Sequence, residues 1–167
     1  MFIWKYLDLP ESEVTELKER YLASRSTWKS DRYFFQTLDL GIKEFMGRPI
    51  FKTVLIVAAP KRIGKLHIDY RPHDNNTLAI NIPLINCDNA ITEFWESNEK
   101  SSVVEYSPSG SPYLSCGDRT TCTKIDEYRL VKPVLFNTSI PHVVDNYSDK
   151  PRIAISLRLV QDPWDLV

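Results

Sequence analysis

In the string Lys65-Leu66-His67-Ile68-Asp69-Tyr70 an imidazole and a carboxylate stand two residues apart. A second histidine, His142, lies far along the chain, with Arg152 ten positions beyond it. Two imidazole nitrogens and one carboxylate oxygen can occupy one face of an octahedral divalent metal such as iron(II), leaving three positions open for chemistry. Leu66 and Ile68 alternate with His67 and Asp69, so a strand there turns the two polar side chains to one face and the two apolar ones to the other. Taken singly, His-x-Asp is a weak signal that a structural hydrogen-bonded pair also explains, and His142 alone reads as an ordinary turn or strand-end histidine. The alternation, the distant histidine and the arginine together favour a metal centre. Arg152 has a competing reading as a surface ion pair with Asp145 or Asp149.

The elements that must position these residues are legible in part. Met1 to Leu9 reads as a short edge strand. Leu9-Pro10-Glu11-Ser12-Glu13 opens a helix, and Val14, Leu17, Tyr21 and Leu22 continue it at helical spacing to about Ala23. Leu38, Leu40, Ile42, Phe45 and Met46 suggest more core and a second helix ending near Gly47-Arg48-Pro49. Strand texture follows at Lys52 to Ala59, Lys65 to Tyr70, Thr77 to Leu84, Ala90 to Trp95, Tyr128 to Asn137 and Arg152 to Val160. Residues 71–76, His73 among them, form a turn cluster. Residues 97–124 are rich in Ser, Pro, Gly and Asp and read as a long irregular loop, suited to act as a lid. In the last strand Ile153, Ile155, Leu157 and Leu159 share one face; Arg152, Ala154, Ser156 and Arg158 share the other. An arginine facing inward is costly to bury unless it meets an anion. Arg158, near the far end, reads as solvated or ion-paired. Helices followed by many short two-sided strands fit a sandwich or barrel partly covered by helices.

Composition bounds the function. The 167 residues suffice for one domain, and 43% are hydrophobic, enough for a real core. A net charge of -1 gives no global attraction to nucleic acid or to a membrane surface. The longest apolar run, Val54 to Ala59, is too short to span a bilayer, and Met1-Phe2-Ile3-Trp4-Lys5 lacks the layout of a secretion signal. Cys87, Cys116 and Cys122 are odd in number and match no zinc or disulfide pattern, which points to a reducing, cytoplasmic setting with unreactive surface thiols at Cys116 and Cys122. Trp95, Tyr106 and Tyr113 could line a substrate mouth, although packing is the commoner use of such residues.

His67-x-Asp69, His142 and Arg152, with Asn146, Ser148 and Pro151 between the last two, resemble the iron(II)- and 2-oxoglutarate-dependent oxygenases over roughly residues 50–160. Around His142 the string looks most like the aspartyl/asparaginyl β-hydroxylase branch. The resemblance implies a mainly β fold, a double-stranded β-helix (jelly-roll) barrel with N-terminal helices packed on one face. It implies a single oxygenase domain over 1–167, with 1–50 as helical support and 51–160 as the barrel. It makes His67, Asp69 and His142 the Fe(II) ligands and pairs Arg152 with the distal carboxylate of the cosubstrate 2-oxoglutarate. Asn81 projects inward beside the metal strand and could hydrogen-bond that cosubstrate. Many relatives place a hydroxyl two positions after the arginine; here Ala154 stands there, and Ser156 is the nearest hydroxyl. The implied activity is a dioxygenase that uses O2 and couples decarboxylation of 2-oxoglutarate to C–H oxidation, a hydroxylase of a small molecule or of an amino-acid or peptide side chain. Two other readings stay open: a cupin-like metal enzyme that does not use 2-oxoglutarate, and a jelly-roll binding module. Nucleic-acid substrates are not expected of a chain that is not basic.

Overall fold

Alternation of apolar and polar residues sorts most of this chain into strands with two unlike faces, and the strands assemble into two antiparallel sheets. The computed structural model describes residues 1–24, 35–37, 40–70, 76–97, 103–107 and 112–167. The elements are β1 (Trp4–Tyr6), α1 (Glu11–Ser24), β2 (Phe35–Thr37), β3 (Glu44–Phe45), β4 (Arg48–Ala58), β5 (His67–Asp69), β6 (Leu78–Ile85), β7 (Ala90–Glu96), β8 (Val104–Tyr106), β9 (Pro112–Ser115), β10 (Thr123–Arg129), β11 (Val134–Asn137), β12 (His142–Asn146) and β13 (Arg152–Leu159). The larger sheet runs β1-β11-β6-β13-β4-β2, with β3 paired to β4; the smaller runs β10-β7-β12-β5-β9-β8.

The two faces of the larger sheet do different work. Leu78, Ile80, Ile82, Leu135, Ile155 and Leu157 point outward and are buried by Leu17 and Tyr21 of α1. Ala79, Val134, Phe136 and Ala154 point inward, meeting Phe94 and Tyr128 from the smaller sheet. Arg152, Ser156 and Asn81 share this inner side, with Ser156 directly opposite Asn81. The expected inward face of the last strand is therefore present, and β1 is the expected edge strand beside β11.

Several expectations are corrected. One helix, not several, supports the sheet among the described residues. Leu40, Ile42, Phe45 and Met46 do join the core, but through the β3–β4 hairpin. Its turn places Met46 at φ 54° and Gly47 at φ 68°, a conformation no helix contains. Leu38 lies outside the described residues, as does His73. The stretch from Tyr128 to Asn137 divides between the two sheets, because Leu130 to Pro133 carry the chain from β10 across to β11. Residues 97–124 are not one irregular loop: β8, β9, a 3₁₀ turn at Arg119–Thr121 and the start of β10 lie within them. Cross-strand pairing to β5 supplies the order that their polar composition does not reveal.

A candidate metal centre and a candidate anion site

β5 delivers His67 and Asp69, and β12 delivers His142. The strands are adjacent, with His142 directly opposite His67. Gly64 makes this approach possible: a Cβ there would meet Val143 Cγ2 at 2.6 Å and the Val144 carbonyl at 2.7 Å. Any side chain would push the segment leading into β5 away from β12. Asp145, on the outer face of β12, completes the clamp by accepting the Gly64 N–H at 2.9 Å.

One ligand atom from each of His67, Asp69 and His142 can be chosen so that all three lie within 4.8 Å of one another. The His67 ring faces Asp69, with Nε2 3.6 Å from Oδ1. Each histidine places Nδ1 2.9 Å from a backbone carbonyl, of Lys65 for His67 and of Ile140 for His142. That contact makes Nδ1 the protonated nitrogen and leaves the Nε2 lone pair free, the tautomer a metal requires. Burial and the neighbouring His67 lower the His142 pKa to about 4, so His142 is neutral at physiological pH. The chemistry of this donor set fits a first-row divalent ion of the iron class.

Arg152 sits deeper. It is 1% exposed, and among the described residues none of its three guanidinium nitrogens has a hydrogen-bond partner. The ion pairs considered from sequence are absent, since Asp145 pairs with Arg119 and Asp149 with Lys61. Asn81 Oδ1, Ser156 Oγ and the Tyr128 hydroxyl are likewise buried without a hydrogen bond among the described residues. Tyr128 lies near enough to Thr92, Asn81 and Arg152 to feel all three, and burial pushes its phenol up, keeping it a neutral donor. A buried cation that shares one sheet face with orphaned hydroxyl and amide groups is costly unless an anion with several acceptor oxygens completes it. Arg152, Ser156 and Asn81 were candidates from sequence; Tyr128 and Thr92 were missed. The cross-strand register Tyr128↔Thr92 was the signal, and it needs the strand pairing to be seen.

Arg158 proves to be ion-paired, and its partner is the candidate ligand Asp69. The Asn and Ser of the string after His142 have a structural task. Asn146 Nδ2 donates to the carbonyls of Ala59 at 2.9 Å and Lys150 at 2.8 Å, while Ser148 Oγ donates to Lys150 O at 2.9 Å. These bonds fix the turn between β12 and β13, and with it the placement of His142 relative to Arg152. Cys116 is fully buried beside Leu66 and Val143, not on the surface. Trp95 packs in that same outer cluster, Tyr106 is exposed, and only Tyr113 of the three aromatic candidates reaches the centre, its ring meeting His67 edge-on at 5.7 Å.

The chain aligns over 96% of its length with the non-heme alpha-ketoglutarate-dependent carbocyclase SnoK of nogalamycin biosynthesis, covering 80% of that chain at TM-score 0.58 and 15% identity. This is the fold of the iron(II)/2-oxoglutarate oxygenases. A Pseudomonas putida prolyl-4-hydroxylase shares it, with TM-score 0.52, 13% identity and coverage of 96% of this chain and 94% of that one. So does EctD from S. alaskensis, solved with 2-oxoglutarate and 5-hydroxyectoine, at TM-score 0.51 and 14% identity, covering 99% of this chain and 79% of that one. No family model matches the sequence, and no curated protein does. The oxygenase resemblance read from four residues thus meets a matching fold. The finer likeness to the aspartyl/asparaginyl β-hydroxylase branch rests on the residues around His142 alone.

Proposed function

We propose that this chain is an iron(II)- and 2-oxoglutarate-dependent dioxygenase, a hydroxylase of a small molecule or of an amino-acid or peptide side chain, acting in the cytoplasm with residues 1–167 as one oxygenase domain. One observation carries the reading: the triad His67, Asp69 and His142 shares the inter-sheet space with a fully buried arginine that the described residues leave unpaired. In this reading His67 and His142 bind iron through Nε2 and Asp69 through one carboxylate oxygen. Bound iron and 2-oxoglutarate supply O2 activation, with succinate and CO2 as coproducts and a substrate C–H bond as the site of oxidation.

The rest is the work of this chain's residues. The planar fork of Arg152 offers a distal carboxylate two parallel charge-assisted hydrogen bonds. Ser156 and Tyr128 donate to the remaining oxygen lone pairs, and Asn81 orients its amide against them. Arg158 holds an Asp69 oxygen and limits the rotation of that carboxylate. Phe94, Phe136 and Ala154 exclude water from the inner side, which strengthens each of these interactions.

The test is anaerobic titration of purified protein with Fe(II) and then 2-oxoglutarate, followed by exposure to O2 and measurement of succinate. Stoichiometric binding of both and O2-dependent succinate formation are expected, and His67→Ala abolishes them. Metal binding without any 2-oxoglutarate binding would defeat the proposal in favour of a cupin-like enzyme. Tight binding of both with no succinate under any condition would reduce the protein to a binding module.

A further inference from the structure

The metal-facing surface does not end at β5. The β8–β9 hairpin adds two strands beyond it, with Asp69 opposite Tyr113 and Tyr113 opposite Glu105. Cross-strand partners project to the same face, so Asp69, Tyr113 and Glu105 form one row leading away from the triad. The Tyr113–His67 ring contact fixes the face as the one bearing the candidate ligands. Tyr113 donates its hydroxyl to Glu105 Oε2 at 2.8 Å, and this bond to the carboxylate raises the phenol pKa. Burial grades along the site: Arg152 is 1% exposed, His142 4%, while the side chains of His67 and Asp69 are 20% and 25% exposed. The open side of the centre therefore faces the hairpin.

Glu105 differs from the acidic groups around it. Asp69 is answered by Arg158, Glu93 by Lys124 and Asp145 by Arg119. Among the described residues no cation answers Glu105; its one partner there is the Tyr113 hydroxyl, which positions the carboxylate. Strands in a sheet lie about 4.8 Å apart, so Glu105 stands two strand spacings, about 10 Å, from Asp69. That is the span of a small molecule with a cationic group several bonds from the carbon presented to the metal.

Resting on the oxygenase reading, the geometry points to Glu105, held by Tyr113, as the recognition carboxylate for a substrate bearing a protonated amine or guanidinium group. Glu105 determines specificity and takes no part in the oxidation.

The experiment uses full-length protein loaded anaerobically with Fe(II) and 2-oxoglutarate, and two pairs of probes that differ in charge but hardly in shape: L-lysine against L-norleucine, and L-arginine against L-citrulline. Binding is read by calorimetry, and iron and 2-oxoglutarate affinities are measured on the same samples. At least one cationic member binds tenfold or more tightly than its neutral isostere. Glu105→Gln removes that preference, and Tyr113→Phe reduces it a few-fold. If neither cation outbinds its isostere, or if Glu105→Gln keeps the preference, the inference falls while the oxygenase reading stands. If 2-oxoglutarate itself fails to bind, both fall together.

Discussion

Two arginines of this protein, Arg119 and Arg152, give up water on opposite terms. Arg119 leaves the surface to meet Asp145, donating to its two oxygens at 2.6 and 2.7 Å, and a third bond at 3.0 Å reaches the Gly64 carbonyl. Burial alone would raise the Asp145 carboxyl, but the bonds from Arg119 and the Gly64 N–H outweigh it and hold the group below the usual carboxylate range. Arg152 is more deeply buried and has no partner among the described residues. The first arrangement is closed: every charge is answered within the chain, and the result is a clamp fastening the 3₁₀ turn at Arg119–Thr121 and the Gly64 segment to β12. The second is open: among the described residues nothing supplies the counter-charge to its guanidinium. Burial by itself marks neither structure nor function. What separates them is whether the protein supplies the counter-charge.

Exchanging the two arginines' fates tests the contrast. Arg152→Met is expected to cut 2-oxoglutarate affinity near a thousandfold, about 4 kcal/mol, because a buried charge pair loses one member. Its melting temperature should stay level or rise, since an unanswered buried cation has been removed. A matching loss of stability would mean that Arg152 is structural. Asp145→Asn should do the reverse, destabilising the fold by about 3 kcal/mol through a poorly answered Arg119, with 2-oxoglutarate affinity of the folded fraction unchanged. Denaturant titrations alongside ligand titrations separate the two outcomes.

Acid sharpens the same contrast in the metal-free protein. The His142 pKa falls to about 4 in the fold, so the unfolded chain takes up a proton below about pH 6.5 that the folded chain refuses. Stability is therefore full above pH 6.5 and declines by about 3 kcal/mol as pH falls toward 4. Asp145, also depressed, adds its loss only below the ordinary carboxylate range. In His142→Leu the decline between pH 6.5 and 4 should shrink while the steeper one below it remains; an unchanged upper limb would remove His142 as its source. The smallest effect is expected at Tyr128→Phe, which withdraws one neutral donor and should weaken 2-oxoglutarate five- to tenfold, about 1 kcal/mol, without moving the affinity for Fe(II).

The contrast also explains what the sequence disclosed. His67, Asp69, Arg152, Ser156 and Asn81 lie on strands whose alternation is clean, so their facing could be read residue by residue. Tyr128 and Thr92 could not, because their role depends on which strands pair, and the stretch from Tyr128 onward reads as one strand where the fold makes two. Arg158 showed its face but not its partner, since Asp69 lies 89 positions away. The β8–β9 hairpin was hidden by a Ser-, Pro- and Gly-rich composition whose strand character comes from its neighbours. Apolar spacing around Phe45 fitted a helix about as well as the hairpin that forms, and only the left-handed turn at Met46-Gly47 distinguishes them.

Gly64 offers a way to follow this chemistry through descent. The position tolerates no methyl group, since Val143 and Val144 fill the space one would need. A kindred chain that keeps both histidines and the aspartate but has replaced this glycine must have drawn its ligand strands apart. A single codon would then disclose, without any assay, that the three side chains no longer converge while the motif still read as intact.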